Sequence, residues 1–236
     1  MTEKQLTAEQ IQSLFDFVKS KYVRYIDVQY ELVDHLASAI EDEMQKDSKL
    51  SFDAALSKVY ARFPITGFAN FIASKARSLS SYWRRRYFNL LLSYFIPPKI
   101  FITLLIYIFA FQTAYFFGKS GLAVLIFVSF IINLGFLYNH YRSIKFIKGK
   151  QQDYLFLKSS WAGSGIPFAL QYWSIIFLNH VFADDQSNTL NLMHISLQAL
   201  VCALSLITAH ANFTIFPKMI YDEINNKYKH LGIVVR

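Results

Sequence analysis

Glu31, Asp34 and His35 fall within about one helical turn, and a carboxylate and an imidazole four residues apart can reach one divalent metal. A zinc-hydrolase helix places two histidines around a glutamate, and only one is present. The plainer reading is a solvated or partner-facing acidic side. A second polar group, Gln198, His210 and Asn212, interrupts an apolar run near the C-terminal end. Ionisable groups inside a membrane usually face a bundle interior or a cavity, so these three could line a track for a proton or ion. Their simpler use is hydrogen bonding between helices. Gly163-Ser164-Gly165 lacks the lysine and preceding strand of a phosphate loop. Cys202 is the single cysteine, which excludes an intrachain disulfide and a thiolate metal cluster. No set of nucleophile, base and oxyanion donors can be recognised. The chain is therefore expected to be non-enzymatic, with no cofactor and no resident metal.

The elements that position these residues divide sharply by composition. Only 17% of the 236 residues are charged while 54% are hydrophobic, which departs from the roughly 25% charged content of soluble domains and favours a membrane class. The change comes at Tyr82 to Phe117. Arg84, Arg85 and Arg86 precede a run from Ile100 to Phe117 that carries no charge. About 20 helical residues at 1.5 Å each cover the roughly 30 Å hydrocarbon layer, and arginines favour the cytoplasmic side. Trp83, Tyr87, Leu90 and Tyr94 recur at helical spacing beside the arginines. Residues 78–96 are accordingly expected to form an interfacial helix, with Trp83 and Tyr87 at headgroup level and Arg84, Arg85 and Arg86 toward lipid phosphate.

Four spans are expected within 97–217: Lys99 to Phe117, Leu122 to Tyr138, Trp161 to Phe182, and Leu192 to Phe216, the last ended by Pro217. Gly118 to Gly121 forms the first outer turn and Ala183 to Asn191, with Asp184 and Asp185, the second. The loop from His140 to Ser160 is basic and expected inside, as is the tail 218–236. MTEKQLTAEQ has no apolar run, so no cleaved signal peptide is expected and both ends should be cytoplasmic. The net charge of +8 collects at span ends, which points to anionic lipid and not to nucleic acid.

Residues 1–77 are expected to form a small helical module. Thr7-Ala-Glu-Gln10 has the form of a capping box opening a helix to about Lys21. In a second helix, from Asp27 to Gln45, Val28, Leu32, Leu36, Ala39 and Ile40 fall within about 120° of one another. Asp27, Glu31, Asp34, Glu41 and Asp42 lie on the opposite side. Like charges at this spacing cost roughly 0.2 to 0.5 kcal/mol per pair in an isolated helix. Docking of a basic partner is thus expected at these five carboxylates, with the basic stretches of the same chain or plain solvation as alternatives. Ser51 caps a third helix that ends at Phe63-Pro64.

The order Glu31-Leu-Val-Asp-His35-Leu, Ile40-Glu41, Ser51-Phe-Asp-Ala-Ala55 and Phe63-Pro64 resembles the HAAS/DUF1700-like helical modules of bacterial polytopic membrane proteins, over about residues 8 to 75. The resemblance implies a multi-pass protein of the bacterial inner membrane whose cytoplasmic module docks or regulates, with no catalytic residue to carry over. The expected fold is all-α: a cytoplasmic helical module, an interfacial helix and a four-helix transmembrane domain. The expected function is an accessory, docking or regulatory subunit of a membrane complex. A small transporter or channel subunit using Gln198, His210 and Asn212 is the alternative, and a membrane-embedded enzyme a third.

Overall fold

A computed structural model describes residues 5–64, 66–150, 153–160, 169–170, 172–176 and 192–227. These residues are helices and connecting turns, with no strand among them. The expected third span and second outer loop lie largely outside the described residues; within them 172–176 are helical. The chain forms two compact units, one of Met1–Ser81 with Ile147–Ser160, the other of Tyr82–Phe146 with Trp161–Arg236.

In the first unit, α1 (Ala8–Ser20) opens with the expected capping box. The Gln10 N–H donates to Thr7 Oγ1 at 3.3 Å and the Thr7 N–H to Gln10 Oε1 at 2.8 Å, satisfying donors that a helix start otherwise leaves idle. α2 (Ile26–Lys46) turns Val28, Leu32, Leu36 and Ile40 inward, as the period requires. α3 (Phe52–Tyr60) begins where Ser51 Oγ accepts from the Ala54 N–H. Leu14 and Val18 of α1 and Ala55 and Val59 of α3 close on the α2 stripe to make one core. Each fully buried leucine or valine contributes roughly 1.5–3 kcal/mol. α4 (Ala69–Leu92) starts beside this core, where Phe68 is buried, and its residues from Tyr82 onward belong to the second unit. A short α6 (Leu155–Ser159) also belongs to the first unit, and Leu155 enters its core.

The second unit is built around α5 (Lys99–Lys150) as far as Phe146, and this helix is broken at Gly118 (φ 55°, ψ −137°). Eight residues of straight helix span about 12 Å. A Cβ on Gly121 would instead lie 2.5 Å from the Thr113 carbonyl oxygen and 2.7 Å from Phe117 Cβ. The helix therefore turns back on itself at Gly118, and Ala114 shares a small core with Leu122, Ile126, Ile195 and Cys202. After α5 and α6, α7 (Leu192–His210) leads through a π-helical turn, Ala211–Ile215, into α8 (Phe216–Lys227). The expected stop at Pro217 does not occur. Proline lacks an N–H and its ring would meet the carbonyl of Phe213; the widened π turn stands at that place and lets the helix continue.

Among the described residues two helical stretches, Lys99–Tyr138 and Leu192–Glu223, are long and apolar enough to cross a membrane by length and composition. Replacing Gly118 with alanine puts a Cβ on a backbone that glycine alone adopts readily, at about 1–3 kcal/mol, and Gly121→Ala forces the two arms of α5 apart. Both variants should melt earlier than the parent in detergent by circular dichroism. Gly135→Ala, whose Cβ would meet nothing within 4 Å, should not.

Candidate functional site

The five carboxylates expected to face a partner do not share one fate. Asp27, in the first turn of α2, accepts the backbone N–H groups of Leu155 and Phe156 at 2.9 Å each. The Ile26 N–H donates to the Asp153 carbonyl at 2.7 Å, and Lys158 Nζ donates to the Tyr25 hydroxyl at 2.8 Å. The start of α2 thus holds residues 153–160 and supplies the acceptors that the first turn of α6 needs. Burial pushes the Asp27 carboxyl above its usual range, against the backbone hydrogen bonds that pull it down. Glu31 is turned to Lys75 of α4 at 2.7 Å, both side chains about a third exposed. Such a pair contributes at most about 1 kcal/mol. Glu41 accepts the Leu6 N–H at 2.9 Å. Asp34 and Asp42 alone keep open positions.

The candidate metal triplet is not drawn together. The Glu31 carboxylate faces Lys75, and the exposed His35 packs edge-on to Phe71 with ring centroids 6.1 Å apart. Among the described residues no three His, Cys, Asp or Glu side chains converge on a metal-sized space.

Glu43 is not among the expected site residues, yet three basic side chains meet it. It is only 4% exposed, bonded to Lys58 of α3, to Arg62 at 2.8 Å and to Lys46 at 3.3 Å. The bond from Lys58, then that from Arg62, holds its carboxyl down at about 2, although burial opposes. The sequence did carry a signal. At 100° per residue Glu43 lies about 60° from Val28, inside the apolar stripe, and Lys58 and Arg62 are one helical turn apart.

In the second unit Trp83 has no exposed surface and Tyr87 is 6% exposed. Both rings pack edge-on against Phe216 at 5.6 and 5.4 Å, which places them in the interior of this unit and not on an outward face. Phe216 supplies an apolar partner that α4 alone does not reveal. Burial pushes the Tyr87 phenol up to about 12, with the Asn212 side chain opposing. The three arginines separate. Arg86 turns to Glu223 at 2.7 Å and to the Tyr82 hydroxyl, which itself donates to Glu223 at 2.9 Å. Arg84 and Arg85 are exposed.

The three candidate track residues are spread over different neighbours. Gln198 is buried and its amide lies 3.8 Å from Cys202 Sγ. His210 Nδ1 lies 2.7 Å from the Tyr94 hydroxyl, with the Phe136 ring beside it. Asn212 sits in the π turn facing Tyr87. Asn133 donates to Ser205 Oγ at 3.2 Å and Tyr107 pairs with Ser196 at 2.7 Å, so α5 and α7 are joined by polar side chains at these two levels. The bonds of Asn133 and Tyr107 are interhelical bonds of the kind that amide and hydroxyl groups make in apolar surroundings, while that of Gln198 stays within α7.

Comparison with family models, curated proteins and solved structures gives no match.

The buried Glu43 and the half-buried Asp27 act oppositely with pH. Glu43 titrates lower in the fold than its unfolded value of 4.5, so its contribution is present above 4.5 and lost as pH falls toward 2. Asp27 titrates above 3.8, so its contribution is present below 3.8 and fades as pH rises through the folded value. Melting between pH 6 and pH 3 (about these values suffice) should show a loss of stability on acidification that Glu43→Gln flattens and Asp27→Asn steepens. Asp27→Ala removes the acceptor for two N–H groups. Hydrogen exchange at Leu155 and Phe156 should speed up roughly tenfold or more, read by mass spectrometry.

Proposed function

We propose that the chain is an integral protein of the bacterial inner membrane whose non-catalytic cytoplasmic module docks or regulates a partner in a membrane complex. The membrane part of this reading is supported by the outward face of Lys99–Tyr138. Only 28% of its most apolar window is buried, and Phe101, Phe109, Phe116 and Phe127 stand exposed. A core helix of a soluble protein would hide such residues, whereas lipid solvates them. Forty helical residues would extend about 60 Å, twice the hydrocarbon thickness, so a chain reversal at Gly118 fits two crossings. With the segment around 172–176 and Leu192–Glu223, four spans and two cytoplasmic ends result.

The observation that carries the regulatory part is the grip of α2 on residues 153–160. In the four-span topology these residues belong to the loop joining the second and third spans. A partner that binds the module and shifts α2 would pull on that loop directly. The resemblance to HAAS/DUF1700-like modules points the same way. The surface open to such a partner is narrower than the sequence implied, because Asp27, Glu31 and Glu41 are committed within the chain and Asp34 and Asp42 are left.

Purification in mild detergent should retain a stoichiometric partner that Asp34→Lys with Asp42→Lys weakens, most at low salt. A parent chain that purifies alone would overturn the docking reading. Impermeant thiol reagent applied from the periplasmic side should label Ser187→Cys and spare Ser48→Cys; the opposite pattern would sink the topology.

A further inference from the structure

The burial of Trp83 and Tyr87 leaves the opposite face of α4 to be accounted for. Phe88 and Leu92, then Phe95 of the short 3₁₀ turn Ser93–Phe95 and Ile96 after it, are between 44% and 60% exposed. On a helical projection Phe88, Leu92 and Phe95 fall within about 60° of one another. Arg84 and Arg85 lie one turn earlier and flank this stripe, at about 40° and 60° to either side of Phe88. Both are exposed, and among the described residues neither forms an ion pair, unlike Arg86. After the turn at Pro97-Pro98 the chain continues into α5, whose first turn carries the exposed Phe101 and Ile102.

We propose that this outer face, Arg84, Arg85, Phe88, Leu92, Phe95 and Ile96, is a binding surface for the anionic lipids of the cytoplasmic leaflet. The face is graded along its length, with cations first and then four large apolar groups. That order matches the passage from phosphate to acyl chain at a membrane surface. Guanidinium groups bond phosphate oxygens in pairs, and both arginines have their donors unclaimed by carboxylates of the described chain. Continuity with the apolar surface of α5 selects lipid over a soluble acidic partner, since the same solvent then covers both. Arg86 plays no part in it, being held inward by Glu223. The inference rests on the membrane reading above and adds the lipid class and the residues that select it.

The full-length chain, with Cys202→Ala, is placed in nanodiscs of phosphatidylcholine with and without phosphatidylglycerol. A spin label at Leu92→Cys should collide with oxygen in preference to a water-soluble nickel chelate, while a label at Asp34→Cys should show the reverse. Spin-labelled phosphatidylglycerol should associate in preference to spin-labelled phosphatidylcholine. Arg84→Gln with Arg85→Gln should cut that preference roughly fivefold or more while keeping the helical circular dichroism of the parent. A label at residue 92 as open to nickel as that at 34, or a lipid preference unchanged in the double variant, overturns the proposal. Chain stripped from native membranes by alkaline carbonate would overturn the membrane reading itself.

Discussion

The Thr113 carbonyl oxygen lies where a side chain on residue 121 would have to stand, and the second unit depends on that closeness. With hydrogen at position 121 the two arms of α5 meet, Ala114 reaches Leu122 and Ile126, and a surface forms on which α7 can seat Ile195 and Cys202. The polar bonds of Asn133 to Ser205 and Tyr107 to Ser196 then fix the register of α7 along both arms. Small residues permit the approach, apolar contacts fill it and a few hydroxyls and amides orient it. Helices in an apolar solvent associate by these means, because burial of hydrocarbon gives no net gain there.

Local signals were legible in the sequence wherever one helix determines its own outcome. The capping box at Thr7, the Ser51 cap, the α2 stripe and the Gly118 turn all rest on neighbours a few residues apart. What failed was assignment of a helix face whose partner comes from far along the chain. Trp83 and Tyr87 read as surface aromatics because Phe216 is more than a hundred positions away. Asp27 read as one of five partner-facing carboxylates because its donors are at 155 and 156. Pro217 read as a stop because a π turn leaves no signature in hydropathy.

The acidic back of α2 shows the same point in energetic terms. Repulsion among its carboxylates suggested a basic surface, from a partner or from the same chain, and the chain supplies several of the answers itself: two backbone N–H groups, the Lys75 ammonium and the Leu6 N–H. Glu43 goes further. Buried charge is tolerated there because three cations, from α2, α3 and the residues after α3, enclose it. The apolar stripe of α2 thus carries one ionic position, which ties α3 to α2 beside the contacts of Ala55 and Val59.

The grip of Asp27 on Leu155 and Phe156 makes the first unit discontinuous in sequence. A fragment ending at Ser81 would lack the donors that face Asp27 and the leucine that enters the core from α6. It would expose a carboxylate site and an apolar slot together. The module is therefore not a cassette that can be moved by cutting at one boundary: a graft onto another protein has to bring residues 153–160 with it, or provide a host loop with two adjacent N–H groups and an apolar side chain in the same place.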